Sequence, residues 1–193
     1  MAIDIGADAI DREYDVKQGT FFLTVVEGSN PATEAGKVVK VCVFVKGGNL
    51  TIACVGVFHK TDGNILSSRA DYGELYDSVL GTVLPAGLSE RTWWRYQKGA
   101  EMLIDMNVEA GDLIGVRLDK SALAGIALDY DGGWTNDYFR TLAESDFPYT
   151  DYVFDNLGKR IISIYGEYET ESGEVLAMGR TRGFSLRGAG FRP

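Results

Sequence analysis

Residues 38–45 read VVKVCVFV and residues 51–59 read TIACVGVFH, joined by KGGNL at 46–50. Both arms alternate with a period of two, and Gly48-Asn49 between apolar runs is a hairpin turn signal. Pairing Lys46 with Leu50 sets Val39, Val41, Val43 and Val45 opposite Val57, Val55, Ala53 and Thr51 on one face. The other face carries Val38, Cys42 and Phe44 opposite Phe58, Cys54 and Ile52, with Lys40 and Lys46 interspersed. The expectation is a central antiparallel ribbon whose first face forms an inter-sheet core. The second face is too apolar to be simply solvated, so a lead-in strand, a loop or a neighbour's tail should cover it. That face is the first place to look for assembly. Cys42 and Cys54 oppose each other in this register; a bridge there would be strained, and two free thiols are expected.

Working outward, short apolar runs recur between turn signals. Residues 3–16 form an extended lead-in anchored by Ile3, Ile5 and Ile10, and Thr20–Val26 is a strand closed by Gly28-Ser29-Asn30-Pro31. Further strands are expected from Ile65, over Ser78–Leu84, Arg91–Gln97, Met102–Val108, Leu113–Leu118, Ala124–Leu128, Tyr152–Phe154 and Arg160–Tyr168. Asp137–Ser145 is the one stretch with helical character. About ten short strands with turn chemistry between them define an all-β antiparallel sandwich of jelly-roll type. The division expected is one sandwich domain over 1–168, with 1–16 as its extended lead-in, then a C-terminal strand and Gly/Arg-rich tail over 169–193.

Net charge is −9 over 193 residues, which argues against general binding to nucleic acid or anionic membranes. No apolar run is long enough for a membrane-spanning helix, and the N-terminus lacks the basic and apolar regions of a signal peptide. The charge is unevenly spread. The first 15 residues hold Asp4, Asp8, Asp11, Glu13 and Asp15 against Arg12 alone, whereas residues 175–193 hold Arg180, Arg182, Arg187 and Arg192 and no acid.

The order of several motifs carries a family resemblance. Asp4-Ile5-Gly6, Ala9-Ile10-Asp11-Arg12 and Asn30-Pro31-Ala32 with Gly36 resemble the opening of short jelly-roll proteins recurrent in environmental phage and prophage sequences. Ala110-Gly111-Asp112-Leu113-Ile114-Gly115 and Ile162-Ser163-Ile164-Tyr165-Gly166 look like that family's later landmarks. The resemblance spans residues 3–168 and implies a jelly-roll or concanavalin-like module, virion-associated or surface-binding, without established catalysis. The chain departs from the pattern around Ser89–Gly99 and beyond Tyr168.

Catalytic chemistry finds little support. His59 is the sole histidine, so a nucleophile–histidine–acid triad or a histidine-rich metal site would hang on one residue. No GxSxG, P-loop or HExxH is present, and 28 acids guarantee carboxylate pairs without selecting one. Catalytic residues are therefore expected to be none. Asp129, Asp131 and Asp137, with Asn136 around Gly132-Gly133, offer oxygen ligands to Ca²⁺; solvated turn acids are the alternative, and the spacing is not that of an EF-hand. Trp93, Trp94, Tyr96 and Trp134 offer flat apolar faces to surface glycans. Since Trp93 and Trp94 point to opposite faces of a strand, at least one belongs to the core.

The termini give the sharpest reading. Arg180, Arg182, Phe184, Leu186, Arg187, Phe191 and Arg192 lie in a tail too polar to build a core, and Asp4, Asp8 and Asp11 are its charge complement. Such a tail can bind a neighbouring subunit, and a tail-to-body contact that does not close a ring propagates a filament. The function expected is a non-enzymatic, self-assembling subunit of an extracellular fibre or virion. A carbohydrate-binding module using the tryptophans, with or without calcium, is the alternative.

Overall fold

The computed structural model describes residues 2–17, 22–51, 53–95, 101–118, 124–130, 138–142, 149–156 and 160–170. In chain order the strands are β1 (Ala2–Gly6), β2 (Tyr14–Lys17), β3 (Phe22–Glu27), β4 (Gly36–Lys46), β5 (Ala53–Asp62) and β6 (Ile65–Tyr76). Then come β7 (Gly87–Arg91), β8 (Trp93–Arg95), β9 (Glu101–Leu103), β10 (Met106–Val108), β11 (Leu113–Leu118) and β12 (Gly125–Tyr130). The last are β13 (Tyr138–Leu142), β14 (Tyr152–Val153), β15 (Asp155–Asn156), β16 (Arg160–Ile162) and β17 (Ile164–Thr170). They form two antiparallel sheets, and no helix occurs among the described residues. The protein is an all-β antiparallel sandwich.

Long β4 is the centre of the first sheet. One of its edges pairs with β17 and then β12, the other with β10 and then β7. β1 extends the sheet beyond β17, while β2 and β16 flank β12. The second sheet runs β15-β13-β3-β11-β5-β6-β8-β9, with β14 also against β6.

This arrangement overturns the expected hairpin. Both edges of β4 are occupied within the first sheet, and both edges of β5 by β11 and β6 within the second. The Gly47-Gly48-Asn49 connection crosses between sheets, and its exit is pinned by the Leu50–Leu84 bridge, with N–H···O distances of 2.9 and 2.7 Å. Alternation reports that a strand has one apolar face, and two such strands can meet across a core as readily as edge to edge. Val41, Val43 and Val45 of β4 thus join Ala53, Val55 and Val57 of β5 in one buried cluster from opposite sheets. The alternation also breaks once. Glu167 pairs with Lys40 but Tyr168 with Val38, so Val39 is the extra residue of a bulge and Val38 turns inward instead.

Three other expectations are corrected. Met102–Val108 is two strands in different sheets, separated by buried Ile104. Residues 78–84 are a turn rather than a strand, held by the Asp77 carboxylate, which accepts from the amides of Val79 (2.8 Å) and Leu80 (2.9 Å). Tyr138–Leu142 is a strand against β3, not a helix; a sheet edge supplied its backbone partners. Leu113–Leu118 is the strand expected. Ile5 is buried as a lead-in anchor should be, whereas Ile10 is 51% exposed. Cys42 and Cys54 are free thiols on different sheets, so they do not face each other. Strand β17 runs on to Thr170, across the expected boundary at 168, and residues 171–193 lie outside the described residues.

Candidate functional site

The outward face of the first sheet carries a concentration of charge around a depression of about 350 Å³. Sheet register explains which side chains meet there. Asp4, Glu167 and Lys40 are neighbours across β1, β17 and β4, and Tyr165, Cys42 and Glu90 are neighbours across β17, β4 and β7. Leu88 of β7 and Asp8 and Ile10 of the lead-in complete the wall.

The lead-in is fastened to the sheet at the break between β16 and β17. Arg12 donates from Nε to Ser163 Oγ (2.8 Å) and from Nη2 to the Asp8 carbonyl (3.1 Å), and its Nη1 lies 3.5 Å from Asp129 Oδ2. Ser163 Oγ in turn donates to the Ile10 carbonyl at 2.7 Å. Lys46 donates to the carbonyls of Arg12 and Glu13 and pairs with Asp11 at 3.0 Å. Gly6 makes the turn out of β1 feasible: its φ is +84°, and a Cβ would sit 2.5 Å from the Ile164 carbonyl oxygen.

Four carboxylates, those of Asp4, Asp8, Glu90 and Glu167, line the depression with one ammonium, that of Lys40, which contacts Glu167 and Glu90. Lys40 donates to Glu167 and lies 3.6 Å from Glu90, and its proton is held more tightly than usual, mainly by the Glu167 hydrogen bond. The Tyr165 hydroxyl donates to Asp4 Oδ1 at 2.7 Å and lies 3.3 Å from Glu167 Oε1. Burial, then the Asp4 hydrogen bond, raise that phenol above its ordinary range. Cys42 Sγ is 3.7 Å from Glu90 Oε2, and burial followed by the Glu90 charge pushes its thiol up to about 12. A thiol so protonated is a poor nucleophile, and the phenol is a poor base. The carboxylates lining the depression can accept hydrogen bonds from a cationic group.

The structure sorts the sequence-derived candidates. Asp4 and Asp8 line the depression, and Asp11 is committed to Lys46 beside it. Trp94 is 3% exposed and belongs to the core, so it offers no face to a sugar. Trp93 is 45% exposed and shares the outer face of the second sheet with its register neighbours Tyr76 and Leu103. Asp129 accepts from the Glu13 amide at 2.7 Å and from Arg12, which is a structural role on present contacts. Tyr96, Asp131, Trp134, Asp137 and the tail residues Arg180, Arg182, Phe184, Leu186, Arg187, Phe191 and Arg192 lie outside the described residues. No group of three or more potential metal ligands occurs among the described residues. His59 is half-buried on β5 opposite Ser67, away from the depression.

Lys40, Cys42, Glu90, Tyr165 and Glu167 were not legible as a site. Their one signal was local: Lys40 interrupts an apolar run, and Tyr165 and Glu167 alternate with small or apolar residues. Comparison with protein-family models, curated proteins and solved structures returned no match.

Proposed function

We propose that the protein is a non-enzymatic structural subunit that self-assembles through its terminal segments, in an extracellular fibre or on a virion. The observation that carries this reading is the pairing of β1 with β17. It sets the acid-rich start of the chain beside the strand from which the arginine-rich tail departs, on the face that holds the depression. The acidic start of the chain thus lies beside the strand that leads into the basic tail, and such a tail can meet the same face of another copy. The resemblance to virion-associated jelly-roll proteins is consistent with such a role.

The test is size by light scattering in low and high salt, for the full chain and for a chain lacking 179–193. Assembly should be larger in low salt, because exposed Arg–carboxylate attraction is screened within about 8 Å at physiological ionic strength. Assembly unchanged by the deletion would remove the tail's role.

A second reading has its own observation. Trp93, Tyr76 and Leu103 form an exposed apolar strip beside a polar row in which Arg95 donates to Glu74 at 3.0 Å. Such a strip fits the apolar face of a pyranose with polar groups for its hydroxyls. Glycan-array binding abolished by Trp93→Ala would favour a carbohydrate-binding module, and a blank array would count against it.

A further inference from the structure

We propose that the depression on the first sheet is the acceptor for an arginine from residues 179–193 of a second copy of this chain, and that Lys40 is the resident cation this arginine displaces. The inference rests on the assembly reading above and adds the receiving surface and what occupies it beforehand.

Charge is the first argument. Asp4, Asp8, Glu90 and Glu167 line a depression in which Lys40 is the one basic side chain, and the Asp8 carboxylate has no ion pair among the described residues. The tail supplies four arginines and no acid over 175–193. A guanidinium presents a planar fork matched to carboxylates and is less strongly hydrated than an ammonium, so it competes well for Glu90 and Glu167.

Shape is the second. A volume of about 350 Å³ is large enough for a side chain and too small for a folded element. Its rim exposes apolar groups, with Leu88 59% and Ile10 51% exposed. Arg182, Phe184 and Leu186 fall on one side of an extended chain, roughly 6.6 Å apart. One arginine seated among the carboxylates therefore carries an aromatic and an aliphatic side chain towards that rim.

The donor is a second copy for a reason of direction. Tyr165 and Glu167 of β17 line the depression, and the strand continues away from it to Thr170. A tail returning to its own face would have to double back along β17, whereas a neighbour's tail can approach from the open side of the depression. The contact is head-to-tail, so each copy offers one donor and one acceptor.

Mixing full-length variants tests this. An acceptor variant carries Asp8→Asn, Glu90→Gln and Glu167→Gln; a donor variant carries Arg180→Ser, Arg182→Ser, Arg187→Ser and Arg192→Ser. In low salt the wild type should grow beyond a dimer, each variant alone should stay monomeric, and an equimolar mixture should stop at a heterodimer. Lys40→Ala should assemble at a concentration roughly two- to fivefold lower than wild type, since the incoming arginine has no competitor. An acceptor variant that assembles like wild type while the donor variant does not would overturn the depression as acceptor and leave the tail reading standing. A donor variant that assembles like wild type would take down both, as would a wild type that stays monomeric. Weaker assembly of Lys40→Ala would overturn the displacement, as would a gain that persists when the four arginines are also replaced by serine, because that gain would be aggregation independent of the tail.

Discussion

On the second sheet the outward side chains Val26, Cys54, Phe58 and Tyr72 lie beneath a roof, the segment 149–156. On the first sheet, among the described residues, the outward side chains of β4 meet a short lead-in and an open, charged depression. The roof is built by both packing and hydrogen bonds. Phe58 stacks on Tyr149 at 6.2 Å and meets Phe154 edge-on at 6.0 Å. The Tyr149 hydroxyl lies 2.8 Å from Thr24 Oγ1, and the Tyr149 and Asp151 amides donate to the hydroxyls of Ser68 and Ser67, each at 2.7 Å. A satellite core of this kind stabilises, because Tyr149 and Phe154 are removed from water while the Tyr149 hydroxyl and the amides named above keep hydrogen-bond partners. Among the described residues the first sheet has no such layer around Lys40, and its depression presents carboxylates with one ammonium among them. Around Phe58 the outer face of the second sheet is finished by the chain itself, with Trp93 and Leu103 left open beyond β6; around Lys40 the first sheet keeps the means to hold something else.

That contrast can be broken. If the roof is structural, Phe58→Ala should cost about 3–5 kcal/mol by removing a fully buried ring from between Tyr149 and Phe154. Urea denaturation would read it, and assembly at temperatures where the variant is folded should not change. A loss below about 1 kcal/mol would mean the segment 149–156 is an ornament on a core that stands without it. Gly115→Ala should be the next largest. A Cβ at Gly115 would lie 2.6 Å from Phe58 Cε2 and 2.9 Å from the Val25 carbonyl oxygen, so the Phe58 ring or β3 must shift. Overpacking of that order costs about 1–3 kcal/mol, measured by the same titration.

Neither the roof nor the depression was readable in advance, for different physical reasons. Strand existence was legible wherever alternation and turn residues agreed, as over Leu113–Leu118, because period and punctuation are local properties. Strand partnership was not, since β4 and β5 each satisfy their pattern by burying valines in a shared core from opposite sheets. Tyr149 and Phe154 sit five residues apart in a stretch without alternation, and only the Ser67, Ser68 and Asn64 contacts reveal why they are buried. The depression gathers Asp4, Lys40, Glu90 and Glu167 from four strands, and register alone brings them together. The acidity of the start of the chain was visible; its position on β17 was not.

Cys42 sharpens the comparison through pH. Its thiol is held up to about 12 against an ordinary value near 9, so the folded chain keeps a proton that the unfolded chain releases first. The contribution is fully present below about pH 9 and is lost as pH climbs from there towards 12. Stability should therefore decline over that range, and Cys42→Ser should flatten part of the decline. Urea midpoints at pH 8 and 10 would show it. An identical decline in the variant would mean that Cys42 is not shielded by the wall of the depression, and that this face is wetter than the distances imply.

The smallest effect is the one that separates the two faces most cleanly. Glu167 accepts from Lys40 and lies beside Tyr165, with its side chain about a quarter exposed. Partly exposed pairs of this kind contribute roughly 0–1 kcal/mol, so Glu167→Gln should shift stability by less than about 1 kcal/mol in a denaturation experiment. The same substitution removes a charge from the depression and should weaken low-salt assembly. Small in stability and visible in association is the signature of a surface kept for contact. A cost approaching that of Phe58→Ala would invert the argument: the carboxylates would be holding β1, β17 and β4 together, and the first sheet would be closed by charge as the second is closed by rings.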